Sequence, residues 1–159
     1  MIVVVSDIFS EQMLGGAELT TDALLESGFD NYKKINSTHL TSETIDELKE
    51  KEWIFFNFFG VSDKNIFNIV KKVKTKTKHE HLENECHCEK TPRGKLVALF
   101  LAKSKNLFFM SKGQKEEYEN VFPILKNHRA SSVLSSSFTD ENLKYILSLN
   151  TENKNSKYI

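Results

Sequence analysis

Ile2-Val3-Val4-Val5 leads into Ser6-Asp7 and a loop that closes on Leu14-Gly15-Gly16-Ala17-Glu18, with an amphipathic segment beyond. The pattern is a strand, a glycine hinge and a helix start. Four consecutive aliphatic residues suit a strand buried on both faces, the position of a central parallel strand under helices. Two readings of the glycines stand side by side. They hinge the loop, or they let a ligand approach the free N–H groups of the helix, whose positive dipole end favours phosphate or carboxylate.

Downstream, the same grammar repeats. Ala17, Thr21, Leu24 and Leu25 fall at helical spacing, ended by Gly28. Tyr32 to Asn36 reads as a short strand, Thr41-Ser42 as a cap for a helix carrying Ile45 and Leu48, and Trp53 to Phe59 as an aromatic strand of the core. Ser62-Asp63 caps a helix with Ile66, Ile69, Val70 and Val73 on one face. The Lys71 to Lys78 stretch alternates Val and Thr with Lys and reads as a fourth strand running into His79. Thr91-Pro92 opens an apolar helix. Asn106 to Met110 is a further strand, and Ser111 with Gln114 matches a capping box. Ser132-Val133-Leu134 reads as a last short strand, and Thr139 as an N-cap with Phe138 and Leu143 as its hydrophobic staple, Ile146 and Leu147 continuing the apolar face. The expectation is an α/β protein: a Rossmann-like three-layer α/β/α sandwich with a mainly parallel sheet, one domain over residues 1–149 and a polar tail over 150–159. Such sheets bind ligands at the carboxyl ends of their strands, where Asp7, Asn57, His79 and Ser111 are expected.

Composition narrows the partners. The 159 residues carry 22 basic and 22 acidic side chains, so no global field draws the chain to nucleic acid or an anionic membrane. Arg93 and Arg129 are the only arginines, which restricts bidentate phosphate recognition. No stretch approaches the roughly 18 apolar residues of a membrane span. Cys86 and Cys88, the only cysteines, are spaced too tightly for an easy disulfide, which fits a reducing cytoplasm. With His79, His81 and His87 they form a cluster of zinc-type ligands, but the spacing matches no familiar finger, and an irregular loop with reduced thiols is the reading adopted: no metal and no cofactor. The lysines 71, 72, 74, 76 and 78 read as a solvated face. The spacing is neither Gly-x-Gly-x-x-Gly nor a Gly-Lys-Ser/Thr loop, which removes support for NAD and ATP.

Taken in order, Ser6-Asp7-Ile8-Phe9, Gly15-Gly16-Ala17-Glu18, the His79-Glu80 pair and Phe109-Met110-Ser111-Lys112-Gly113-Gln114 resemble the N-terminal domain of GT-B glycosyltransferases, closest in flavour to family four. The Ser135-Ser136-Ser137-Phe138 stretch is similar to the segment before the interdomain crossing in some members, so the resemblance spans most of residues 2–148. It implies an acceptor-side domain, with the donor nucleotide held by a second domain for which these residues leave no room. The chain would then act with a separate donor-domain chain or a second copy, on a nucleotide sugar and a glycan or lipid-linked acceptor, and would not be active alone. In this reading His79, oriented by Glu80, serves the acceptor hydroxyl; Gly15 and Gly16 contact phosphate; Asp7, Asn57 and Ser111 bind ligand. An exposed apolar patch is expected where the donor domain docks.

Each assignment has a plainer counterpart: a loop histidine for His79, turn capping for Asp7 and Asn57. The alternative function is a non-catalytic Rossmann-like binding or interaction module for a small anionic ligand. A phospho-receiver ranks below both, because it requires an aspartate at the end of the third strand, where Asn57 and its neighbours stand.

Overall fold

A computed structural model describes residues 1–13, 15–56, 60–73, 78–82, 89–128 and 130–133, of which 27, 28, 78–82 and 132 are described by backbone alone. The chain alternates β1 (Ile2–Ser6), α1 (Gly16–Gly28), β2 (Tyr32–Asn36), α2 (Ser42–Leu48), β3 (Glu52–Phe55), α3 (Asp63–Lys72), β4 (Lys78–Leu82), α4 (Pro92–Ala102), β5 (Asn106–Phe109), α5 (Lys112–Val121) and β6 (Ser131–Val133). Among the described residues there are also two 3-10 turns, Ser37–His39 and Pro123–Asn127.

Local chemistry fixes most helix starts. Thr41, Ser62, Thr91 and Ser111 each accept a hydrogen bond from the backbone N–H three residues on, satisfying a donor that the first turn leaves unpaired. Gln114 reaches back from α5 and accepts from Met110 N at 2.8 Å, one residue ahead of the cap. The α1 start differs, since its cap is Gly15 and no side chain supports it.

All six strands are parallel, in the order β2-β1-β3-β4-β5-β6. Val3, Val4 and Val5 are wholly buried, as a central strand requires. Their side chains alternate between two apolar clusters. Val3 and Val5 join Trp53, Phe55, Ile66, Val97, Phe109 and Tyr118 in the larger one, contributed by α2, α3, α4 and α5. Val4 joins Phe9, Leu25 and Phe56 in the smaller one, beneath α1. Right-handed crossovers explain the asymmetry. The step from β1 to β2 moves one way along the sheet and puts α1 on one face; every later step moves the other way and puts its helix on the opposite face. Both edges are blunted: β2 carries Lys33 and Lys34, and β6 has three residues. The result is the doubly wound α/β architecture that the alternating pattern predicts.

Three boundaries differ from expectation. Lys71 and Lys72 belong to the last turn of α3, where cations suit the negative end of the helix dipole, and the fourth strand is Lys78–Leu82. The aromatic strand is regular only over Glu52–Phe55, and Phe56 already turns into the α1-side cluster. The last strand begins at Ser131, one residue early. The Thr139 helix and the 150–159 tail lie outside the described residues. No helix among the described residues is long and apolar enough to cross a membrane.

Candidate functional site

Because β1 is flanked by β2 and β3, its chain leaves toward α1 while β3 leaves toward the other face, and a crevice opens at their carboxyl ends. Asp7 follows β1 directly at this point. Its carbonyl accepts from Asn36 Nδ2 at the end of β2, and Asn36 Oδ1 in turn accepts from Thr38 N at 2.9 Å. The far wall is the turn at Gly60, whose φ of 80° is the only left-handed conformation among the described residues. A Cβ there would strike Thr38 Cγ2, so the β3 loop rests against the turn that follows β2.

The loop between β1 and α1 is held down at several points. Phe9 is buried, its N–H donates to Gln12 Oε1 at 3.1 Å, and its carbonyl accepts from Gln12 N and Met13 N. Lys34 Nζ lies 2.6 Å from Glu11 Oε1 and 3.3 Å from Asp22 Oδ1, and 5.1 Å from the centre of the Phe9 ring. One β2 lysine thus ties the loop and α1 to the sheet. The hydrogen bond from Lys34 holds the Glu11 carboxyl below its ordinary value. Burial pulls the Lys34 ammonium down, but the bond to Glu11 and the charges of Asp22 and Glu11 outweigh it, leaving the group above the usual lysine value. Glu11's share of stability is therefore present above the ordinary carboxylate range and lost as pH falls through its lowered value; Lys34's share is lost only as pH rises through its raised one. With Glu11 largely exposed, the clasp is worth at most about 1 kcal/mol. Lys34→Met should lower the melting temperature slightly at neutral pH, and the gap to the native chain should close in acid; melts across pH 3–8 check both.

Glu18 is the residue that sequence reasoning missed. It occupies the third position of α1, and a Cβ at Gly15 would collide with its carboxylate, so that carboxylate folds back over the first turn. The helix end already has its own counter-charge. A Cβ at Gly16, by contrast, meets nothing within 4 Å, which leaves that side open. The signal was in the chain: residues 1–32 contain Asp7, Glu11, Glu18, Asp22, Glu26 and Asp30 and no lysine, arginine or histidine. Glu11 and Asp22 pair with Lys34, and Asp7 and Glu18 are the carboxylates beside the glycine opening.

The other expected residues are distributed along the sheet. Ser111 caps α5 beyond β5, three strand spacings from β1 and thus about 14 Å across the sheet. It does not meet the Asp7–Gly16 group. His79 is the second residue of β4, paired with Ile54 and Asn106, so it lies in the first half of the strand and not at its carboxyl end. Glu80 follows beside Phe55 and Leu107. Asn57, Cys86, His87, Cys88 and Arg129 lie outside the described residues. Arg93 is engaged by Val61 O at 2.9 Å and Asp63 Oδ1 at 2.5 Å, which ties α4 to the start of α3.

Elsewhere, a groove of about 310 Å³ runs between α4 and the Pro123–Asn127 turn, lined by Lys95, Leu99, Phe122 and Ile124 among others. It contains none of the residues singled out above. Among the described residues the exposed large apolar side chains, Met1, Met13, Tyr32, Phe67, Ile124 and Val133, are spread over different segments of the chain. Fold and crevice together define a doubly wound parallel α/β protein with its candidate site at the β1/β3 switch point. No protein-family model, curated protein or solved structure matches the chain.

Proposed function

We propose that this chain is the acceptor-side half of a GT-B-like glycosyltransferase, binding the hydroxyl-bearing acceptor in the β1/β3 crevice while the donor nucleotide sugar is held by a separate chain or a second copy. The observation that carries the reading is the anionic wall at the switch point: Asp7 at the end of β1, and Glu18 folded over a glycine-opened helix start. Glycosyl transfer needs the attacking hydroxyl fixed in place, and carboxylates that accept its hydrogen bond and those of neighbouring hydroxyls do this.

A thermal-stability screen of the purified chain tests this with neutral glycans, lipid-linked sugar headgroups, and UDP, GDP and their sugars. A native-state ligand at one hundred times its Kd adds about 2.7 kcal/mol of stability. Glycan acceptors are expected to raise the melting temperature. Gly16→Leu should abolish that rise while the unliganded melting temperature hardly moves, because its Cβ has open space. Stabilisation by phosphate-bearing compounds alone would instead favour the non-catalytic module for a small anion, and no response to any compound would remove the reading.

A further inference from the structure

We propose that the outward side of α4, with the groove beside the Pro123–Asn127 turn, is a docking surface for an acidic amphipathic helix of a partner protein. α4 carries an unbroken apolar run from Leu96 to Ala102. Val97, Ala98, Phe100 and Leu101 are buried in the larger cluster, as one side of a surface helix should be; Leu96, Leu99 and Ala102 are apolar too, yet only partly buried. The neighbouring helices differ. Apart from Phe67, α3 exposes Asp63, Lys64 and Lys71, and α5 exposes Lys112, Glu116 and Glu117. A helix that is apolar all round is one covered on both sides.

The outer side of α4 runs into the groove of about 310 Å³, where Leu99 and Val121 meet the buried Phe122 and Ile124 is 54% exposed. Charge names the occupant. Lys95 lines the groove, Leu99 and Lys103 follow it at four-residue steps along the same ridge of α4, and Lys126 eclipses the lining residue Pro123 one 3-10 turn on. All three lysines are exposed, and neither α4 nor the Pro123–Asn127 turn contains an acidic residue. An apolar groove with cations around it fits a helix that presents large apolar side chains along one stripe and carboxylates beside them. A twofold pair of copies of this chain does not fit, because it would bring the same lysines together. The groove shares no residue with the β1/β3 crevice, so it acts whatever that crevice binds.

The full chain is titrated with a capped, fluorescein-labelled helical peptide of about 15 residues, leucines along one stripe and glutamates elsewhere, and with a counterpart in which lysines replace the glutamates. Saturable binding of the acidic peptide is expected, with amide shifts in the isotope-labelled chain centred on residues 95–103 and 121–126. Lys95→Glu combined with Lys126→Glu should weaken the acidic peptide about tenfold and make the lysine peptide the better ligand. Ile124→Ser should weaken the acidic peptide through the apolar contact alone. Because these side chains are exposed, the variants should melt within about two degrees of the native chain. No saturable binding, equal binding of the two peptides, or a preference that charge reversal leaves unchanged would overturn the proposal. Self-association of the chain that Ile124→Ser abolishes in sedimentation would overturn it in favour of a second copy, and tighter binding to phosphatidylserine vesicles than to the peptide would overturn it in favour of a membrane.

Discussion

Trp53→Ala is expected to destabilise the protein by about 3–5 kcal/mol, the usual loss for removing a large buried aromatic side chain. Trp53 is fully buried, stacks on Phe55 at 5.6 Å between ring centres with planes 7° apart, and Phe55 meets Phe100 edge-on at 5.0 Å. The indole thus anchors the aromatic column that joins β3 to α4. Its Nε1–H also donates to Leu48 O at 3.0 Å, a carbonyl at the end of α2 that accepts from Lys51 N at 2.9 Å as well. Alanine removes both the volume and the donor. In a domain of this size such a loss lowers the melting temperature by roughly 10 °C or more. Trp53→Phe separates the contributions, because it keeps most of the volume and removes one of the two hydrogen bonds to Leu48 O, at about 0.5–1.5 kcal/mol. Denaturant titration of both variants checks the ordering; a loss under 1 kcal/mol for alanine would show that this column is not the centre of the core.

Gly60→Ala should cost about 2–5 kcal/mol without touching the core. A left-handed backbone at an alanine costs roughly 1–2 kcal/mol. The new methyl would also strike Thr38 Cγ2 and press on Thr38 Cα and Ser37 Oγ, each 3.4 Å away, and overpacking of that kind adds about 1–3 kcal/mol. The two turns bordering the crevice would have to part, so ligand-induced stabilisation should fall along with the melting temperature. Pairing this variant with Thr38→Ser tests the contact, since removing the Thr38 methyl should recover the steric share and leave the backbone share. Gly16→Ala is the contrasting control: with negative φ and open space it should be neutral or raise stability by about 0.4–1 kcal/mol.

Where the determinants are local, the sequence was a sufficient guide. Thr41, Ser62, Thr91 and Ser111 cap their helices as their spacing predicts, because a cap involves one hydroxyl and an N–H three residues away. The Val3-Val4-Val5 run announced a strand buried on both faces for the same reason. Boundaries failed where two local preferences competed. The stretch from Lys72 alternates Lys with Val and Thr as a strand would, yet the C-terminal turn of α3 accommodates Lys71 and Lys72, and β4 begins only at Lys78, so that His79 lies inside it.

The sequence by itself determined the α/β class, the run of helices and strands, the anionic character of the first 32 residues and the glycine opening of α1, all set by neighbours in the chain. Only the tertiary structure decided the strand order, the isolation of α1 on its own face, the distance between Asp7 and Ser111, and the fold-back of Glu18 over Gly15. These depend on which non-adjacent strands pair and on the handedness of the crossovers between them, and a parallel pairing leaves no mark at any single position of either strand.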